Sequence, residues 1–166
     1  MSRPVHQIPR LAALLILLAV GSAGCAKDIY QQRADIIKGH TEAFYQSLEQ
    51  GRIAAAVSEN EQIEGLAREM EQGLVKRASS MDSNQKVREW SLIKTANQTA
   101  IDNWLNLGRY LAATKRYDQA KGTYQRVIDT YGDKGAEYRP WVDRARLGTK
   151  DVDLILAPSR PDQKID

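Results

Sequence analysis

The chain has 166 residues, with 24 lysines and arginines against 21 aspartates and glutamates and a formal charge of +3. That length suits one domain with a real core, and a single cysteine excludes a disulfide framework. Setting aside Arg3 and Arg10, which precede the first apolar run, reduces the 24 basic residues to 22 against 21 acidic ones. So near-neutral a remainder lacks the electrostatic footprint of nucleic-acid binding or of polybasic membrane attachment.

Residues 1–10 carry Arg3 and Arg10 and no acid, residues 11–20 (LAALLILLAV) are unbroken apolar sequence, and residues 21–24 are small. A membrane span needs about 20 apolar residues, so this short run followed by GSAG reads as a removable secretory signal, residues 1–24. Cys25, the sole cysteine, comes next. Ser22-Ala23-Gly24-Cys25 resembles the lipobox of bacterial lipoproteins, in which the signal is cut before an acylated cysteine; Ser22 departs from the family's usual leucine. The resemblance implies a mature chain anchored through acyl chains on Cys25 and tethered by residues 25–30. Two or more acyl chains hold a protein stably, at about 0.8 kcal/mol per buried CH₂, so the expectation is an anchored protein and not a spanning one. Ala26 and Lys27 stand where that family places an aspartate for inner-membrane retention, which implies the outer membrane and a periplasmic orientation.

Residues 31–82 read as a helical hairpin. Ala34, Ile37, Thr41, Phe44 and Leu48 recur at four- and three-residue steps; after Gly51, Ile53, Ala56, Asn60, Ile63, Ala67, Met70 and Leu74 do so in a shifted phase. The phase shift predicts a turn at Gly51 and antiparallel packing at about 20°, a single bent helix being the alternative. Residues 78–84 (ASSMDSN) form a linker, in which Asp82 and Gln85 read as an N-cap with its capping-box partner. From about Ser83, the positions Val87, Trp90, Ile93, Asn97, Ala100, Trp104, Leu107 and Leu111 hold one phase. They predict one helix of about 30 residues, or two if the chain breaks at residues 97–99.

The organising stretch is residues 103–132. Trp104, Leu107, Gly108 and Leu111 share one helix face; after a turn at Thr114 to Tyr117, Ala120, Tyr124, Val127 and Tyr131 share another. A mid-helix glycine costs about 1 kcal/mol relative to alanine, so Gly108 predicts a close crossing with Ala120 against it. Trp104, Leu107, Gly108, Tyr117, Ala120 and Tyr124 resemble the tetratricopeptide repeat, W-x2-L-G-x2-Y followed by A-x3-F. Leu111, Val127 and Gly132 replace that family's usual tyrosine, small residue and proline, and Gly132 is expected to stop its helix through a left-handed cap. The resemblance implies an all-α fold of antiparallel hairpins stacked as a short right-handed array, with residues 83–148 holding the repeat and a capping helix. It also implies a surface for a segment of another protein. Arg109, Tyr110, Thr114 and Arg116 lie off the hairpin core and are candidate partner contacts.

Pro140 to Leu147 reads as a shorter helix with proline in its first turn, Trp141 and Ala145 covering the hairpin and Gly148 ending it. Residues 149–166 form a tail, partly disordered, whose Leu154 to Leu156 are expected to dock on the core, a partner surface being the alternative. After the signal the chain has one histidine, His40, and no glycine-rich phosphate loop, HExxH or paired-cysteine spacing. Glu59, Glu61, Glu64, Glu69 and Glu71 project over several helix faces and read as solvated surface. No catalytic residue, metal or cofactor is predicted. The expected role is an adaptor that binds other envelope proteins. Its alternatives are a permanent subunit of a larger envelope complex and a helical small-ligand binder or enzyme, the last favoured by an apolar cavity with convergent polar groups.

Overall fold

The computed structural model describes residues 28–157. The signal, Cys25 and residues 158–166 lie outside them. Among the described residues the chain is helical and without strands: α1 spans Ile29–Glu49, α2 Ile53–Arg77, α3 Ser83–Ala113, α4 Tyr117–Tyr131 and α5 Arg139–Leu156, with a 3₁₀ turn at Ala136–Tyr138 before α5. No helix among them is long and apolar enough to cross a membrane. Helix α1 begins inside the segment expected as tether, because the Asp28 side chain accepts from the Tyr30 backbone N–H and caps it.

The spine is α3, one unbroken helix of 31 residues opened by the Asp82–Gln85 capping box. Its first half packs Ile93, Ala96 and Ala100 against Ile37 of α1 and Ile63, Ala67 and Met70 of α2. Its second half packs Ile101, Trp104, Leu107 and Leu111 among Phe44, Ala56, Ala120, Tyr124, Val127, Val142 and Ala145. Asn60 and Asn97 occupy stripe positions and are buried. Asn60 donates to the Ala100 carbonyl at 2.9 Å and accepts from Asn103 at 2.9 Å, and Asn97 accepts from Lys134 at 3.5 Å, so neither burial leaves an unpartnered side-chain amide among the described residues. Val87 and Trp90, expected in the stripe, are 68% and 51% exposed. The 15-residue α4 ends too soon to cover them, and Glu89 takes the inward position instead, bound by Arg33 at 2.7 Å and Arg77 at 3.2 Å.

Both hairpins close with the same pair of bonds. Arg52 N–H donates to Ser47 and Gly51 N–H to Leu48, at 2.8 and 2.9 Å; Arg116 N–H donates to Leu111 and Lys115 N–H to Ala112, at 2.8 and 3.0 Å. These are Schellman closures, which need a left-handed residue. Gly51 supplies it with φ +68°, but the second turn uses Lys115 at φ +61°, where a side chain costs about 1 kcal/mol. Lys115→Gly is therefore expected to stabilise the fold by about 0.5–1 kcal/mol, read as a higher urea midpoint at unchanged slope.

The close crossing at Gly108 is made by Tyr124 rather than by Ala120. A Cβ on Gly108 would stand 2.5 Å from the Tyr124 ring, and one on Gly148 would stand 2.6 Å from it, so the ring lies in a slot between glycines of α3 and α5. This corrects the reading of Gly148: it is a packing site, not a terminator, and α5 continues to Leu156. For Gly148→Ala, overpacking at about 1–3 kcal/mol outweighs a helix-propensity gain of about 1 kcal/mol. A net loss of about 1 kcal/mol in chemical denaturation is expected, and a Tyr124→Leu background should abolish it.

Two further expectations at this end change, and the one for Trp141 and Ala145 holds. Gly132 keeps right-handed angles, φ −56°, and the chain instead turns at Gly135, φ +143°. Within the expected tail, Val152 docks on the core, whereas Leu154, Ile155 and Leu156 are exposed. Trp141 packs against the core from a half-buried position and donates to Asp102 at 2.8 Å, beside the fully buried Ala145.

Candidate functional site

The three- and four-residue spacing of Trp104, Leu107 and Leu111 lays them in a line along α3, and α2 and α4 stand on either side. Between these helices runs an open groove of about 480 Å³. Its floor is Trp104, Leu107 and Leu111, one wall is Ile53, Ala54 and Val57 from the start of α2, and the other is Arg116, Gln119, Gly122, Thr123 and Arg126 of α4.

A buried polar cluster closes one end. The Glu64 carboxylate accepts from Trp104 Nε1 at 2.8 Å, from the Tyr131 hydroxyl at 3.0 Å and from Arg126 at 2.8 Å. Arg126 also reaches Glu61 at 2.8 Å and lies 4.2 Å over the Trp104 ring. Burial alone would lower the pKa of Arg126, but the Glu61 and Glu64 carboxylates outweigh it and raise it. Burial first, then the charge and hydrogen bond of Glu64, push the Tyr131 phenol upward, so its hydroxyl stays a donor. Every buried side-chain nitrogen and oxygen among the described residues has a partner. The cluster is thus satisfied within itself and braces the wall, while the groove offers an apolar surface and, at its mouth, the exposed Arg116, which makes no ion pair among the described residues.

The expected partner residues do not form one surface. Arg116 lines the groove, whereas Arg109 lies in a separate cleft of about 220 Å³ between α3 and α5, with Leu105, Tyr124, Arg144, Leu147, Gly148 and Asp151. Tyr110 is half-buried against the core beside the Gly51 turn. Thr114 donates to the Tyr110 and Leu111 carbonyls at 2.9 and 3.1 Å, closing the end of α3. Of the expected repeat core, Trp104, Leu107, Gly108, Leu111, Ala120, Tyr124 and Val127 are buried and Tyr117 packs against them half-buried.

The reading of the acidic run is corrected at Glu64, while Glu61 and Glu69 are exposed as expected. Glu64 is buried, Glu59 stands 2.7 Å from His40 across α1 and α2, Glu61 pairs with Arg126 and Glu71 with Lys134. The signal for Glu64 lay in its place beside Ile63 at the edge of the α2 stripe, an edge that turns inward only when α4 approaches. Among the described residues no group of three or more His, Cys, Asp or Glu side chains is placed to hold a metal ion. No protein-family model, curated protein or solved structure matches the chain.

Proposed function

We propose that this protein is a lipid-anchored, periplasm-facing adaptor of stacked, tetratricopeptide-like hairpins, and that the groove along α3 holds a segment of another envelope protein. The observation carrying this reading is that Trp104, Leu107 and Leu111, on the helix face that bears the repeat resemblance, form the floor of a groove walled by both hairpins. The shared closure of the two turns fits a repeated unit, and α5 lies where a capping helix would. A segment suited to the groove places apolar side chains on Ile53 and Val57 and a carboxylate at Arg116. Because Arg126 is already held by Glu61 and Glu64, binding need not order that wall, which keeps its entropic cost down. The small-ligand alternative loses support, since the polar groups that converge here are engaged with one another.

Gly122 provides the test. It is an exposed wall residue, and a Cβ there meets no atom within 4 Å, so Gly122→Trp fills the groove without disturbing the fold. The expected result is an unchanged or slightly higher melting temperature, since removing a helix glycine recovers up to about 1 kcal/mol. In crosslinking from intact envelopes the variant should lose its partner, while Arg109→Glu on the far face keeps it. A partner retained by Gly122→Trp overturns the groove as the binding site.

A further inference from the structure

We infer that one end of this bundle, where the start of α1, the end of α2 and the start of α3 meet, lies on an anionic lipid bilayer with Trp90 at the headgroup boundary. The inference rests on the lipid-anchor reading of Cys25.

The surface comes first. The bonds from Asn60 to Ala100 and Asn103 set the antiparallel register of α2 and α3, and stepping outward from them brings Val75 level with Val87 and Gln72 level with Trp90. Val75, Val87 and Trp90 are 75%, 68% and 51% exposed and continue the sides of α2 and α3 that α4 covers farther along. A tryptophan with an apolar body and a polar N–H suits a membrane–water boundary.

Charge at this end is complementary to anionic headgroups. Lys76, Lys86 and Lys94 are exposed and make no ion pair among the described residues. Of the neighbouring acids, Asp28 is engaged with Arg88, Glu89 with Arg33 and Arg77, Glu71 with Lys134, and Asp82 in the cap of α3, whereas Glu69 is exposed beside Lys76 with no ion pair among the described residues. Each lysine near an anionic surface contributes about 1 kcal/mol of attraction.

The chain's reach decides which end faces the lipid. Asp28 is bonded to Arg88, the neighbour of Val87, and Cys25 precedes Asp28 by three residues. Even fully extended, that interval spans only about 10 Å. Acyl chains on Cys25 therefore hold this end against the bilayer and leave the groove mouth at Arg116 and Ile53, near the opposite end of α3, facing away.

The test uses the mature full chain in vesicles of phosphatidylethanolamine and phosphatidylglycerol carrying a nitroxide quencher near the headgroup. Mass analysis of the N-terminal peptide reads the anchor separately, and an unmodified Cys25 overturns that reading and this inference with it. With Cys25 acylated and the protein vesicle-bound, tryptophan fluorescence should be quenched in the wild type, and the quenched component should be lost in Trp90→Phe. Trp104, at 2% exposure, should contribute none of it. Equal quenching in the two proteins, or none in either, overturns the orientation while leaving the anchor in place; no quenching is also the result if a protein partner rather than lipid covers this face.

Discussion

Trp104→Ala is expected to remove about 3–5 kcal/mol of stability, the range for deleting a large aromatic from a core, and to lower the melting temperature on the order of 10 °C. The ring is 2% exposed, lies beneath Arg126 and donates to Glu64. It is therefore floor, wall brace and hydrogen-bond donor together. Trp104→Phe keeps an aromatic ring but loses the N–H together with part of the indole's bulk, and Glu64 would still hold Tyr131 and Arg126; a cost of about 1–3 kcal/mol is expected. Urea denaturation of the two variants sets the loss of the whole ring against the loss of the N–H with part of the ring. An unchanged melting temperature in Trp104→Ala would place the ring outside the core.

Glu64→Ala is the second large effect, expected at about 3 kcal/mol. The loss strands two donors, Trp104 Nε1 and the Tyr131 hydroxyl, each costing about 1–3 kcal/mol when buried without a partner. Arg126 adds little, because its side chain is 36% exposed and keeps Glu61, so water screens what the carboxylate leaves behind. Glu64→Gln retains an acceptor oxygen for the ring and phenol donors and should cost about 1 kcal/mol. If the alanine and glutamine variants melt together, the carboxylate's charge rather than its accepting geometry holds the cluster. The Trp104→Ala and Glu64→Ala effects should not add, since each removes the same hydrogen bond.

The two effects bear on the proposed adaptor. The groove's floor and one wall are held in place by a cluster whose members are far apart in the chain. Glu64 reaches residues 40, 62 and 67 positions away. A variant that loosens this cluster should weaken partner capture even where it leaves the helices formed, whereas Gly122→Trp blocks capture with the cluster intact.

Local rules were enough for the helices themselves. Apolar residues at three- and four-residue steps mark which stripe of a helix turns inward, and the Gly51 phase break, the Asp82–Gln85 box and the unbroken phase from Ile93 to Leu111 all involve residues within a few turns of one another. The stripe even placed Asn60 and Asn97 correctly, because a buried amide that finds its bonds sits there as well as an aliphatic chain does.

Coverage along a stripe is a different matter, since it depends on the length and approach of another helix. Val87 and Trp90 keep the phase of α3, yet they lie open because α4 has 15 residues against the 31 of α3. Glycine was ambiguous for the same reason. Gly148 has the chemistry of a helix stop, but the Tyr124 ring arriving from α4 makes it a slot. Glu64 has the chemistry of a solvated surface, but three donors from α3 and α4 make it a buried hub. Periodicity specifies a face for each helix, whereas pairing, slots and uncovered ends belong to contacts between helices and exist only once the chain is folded.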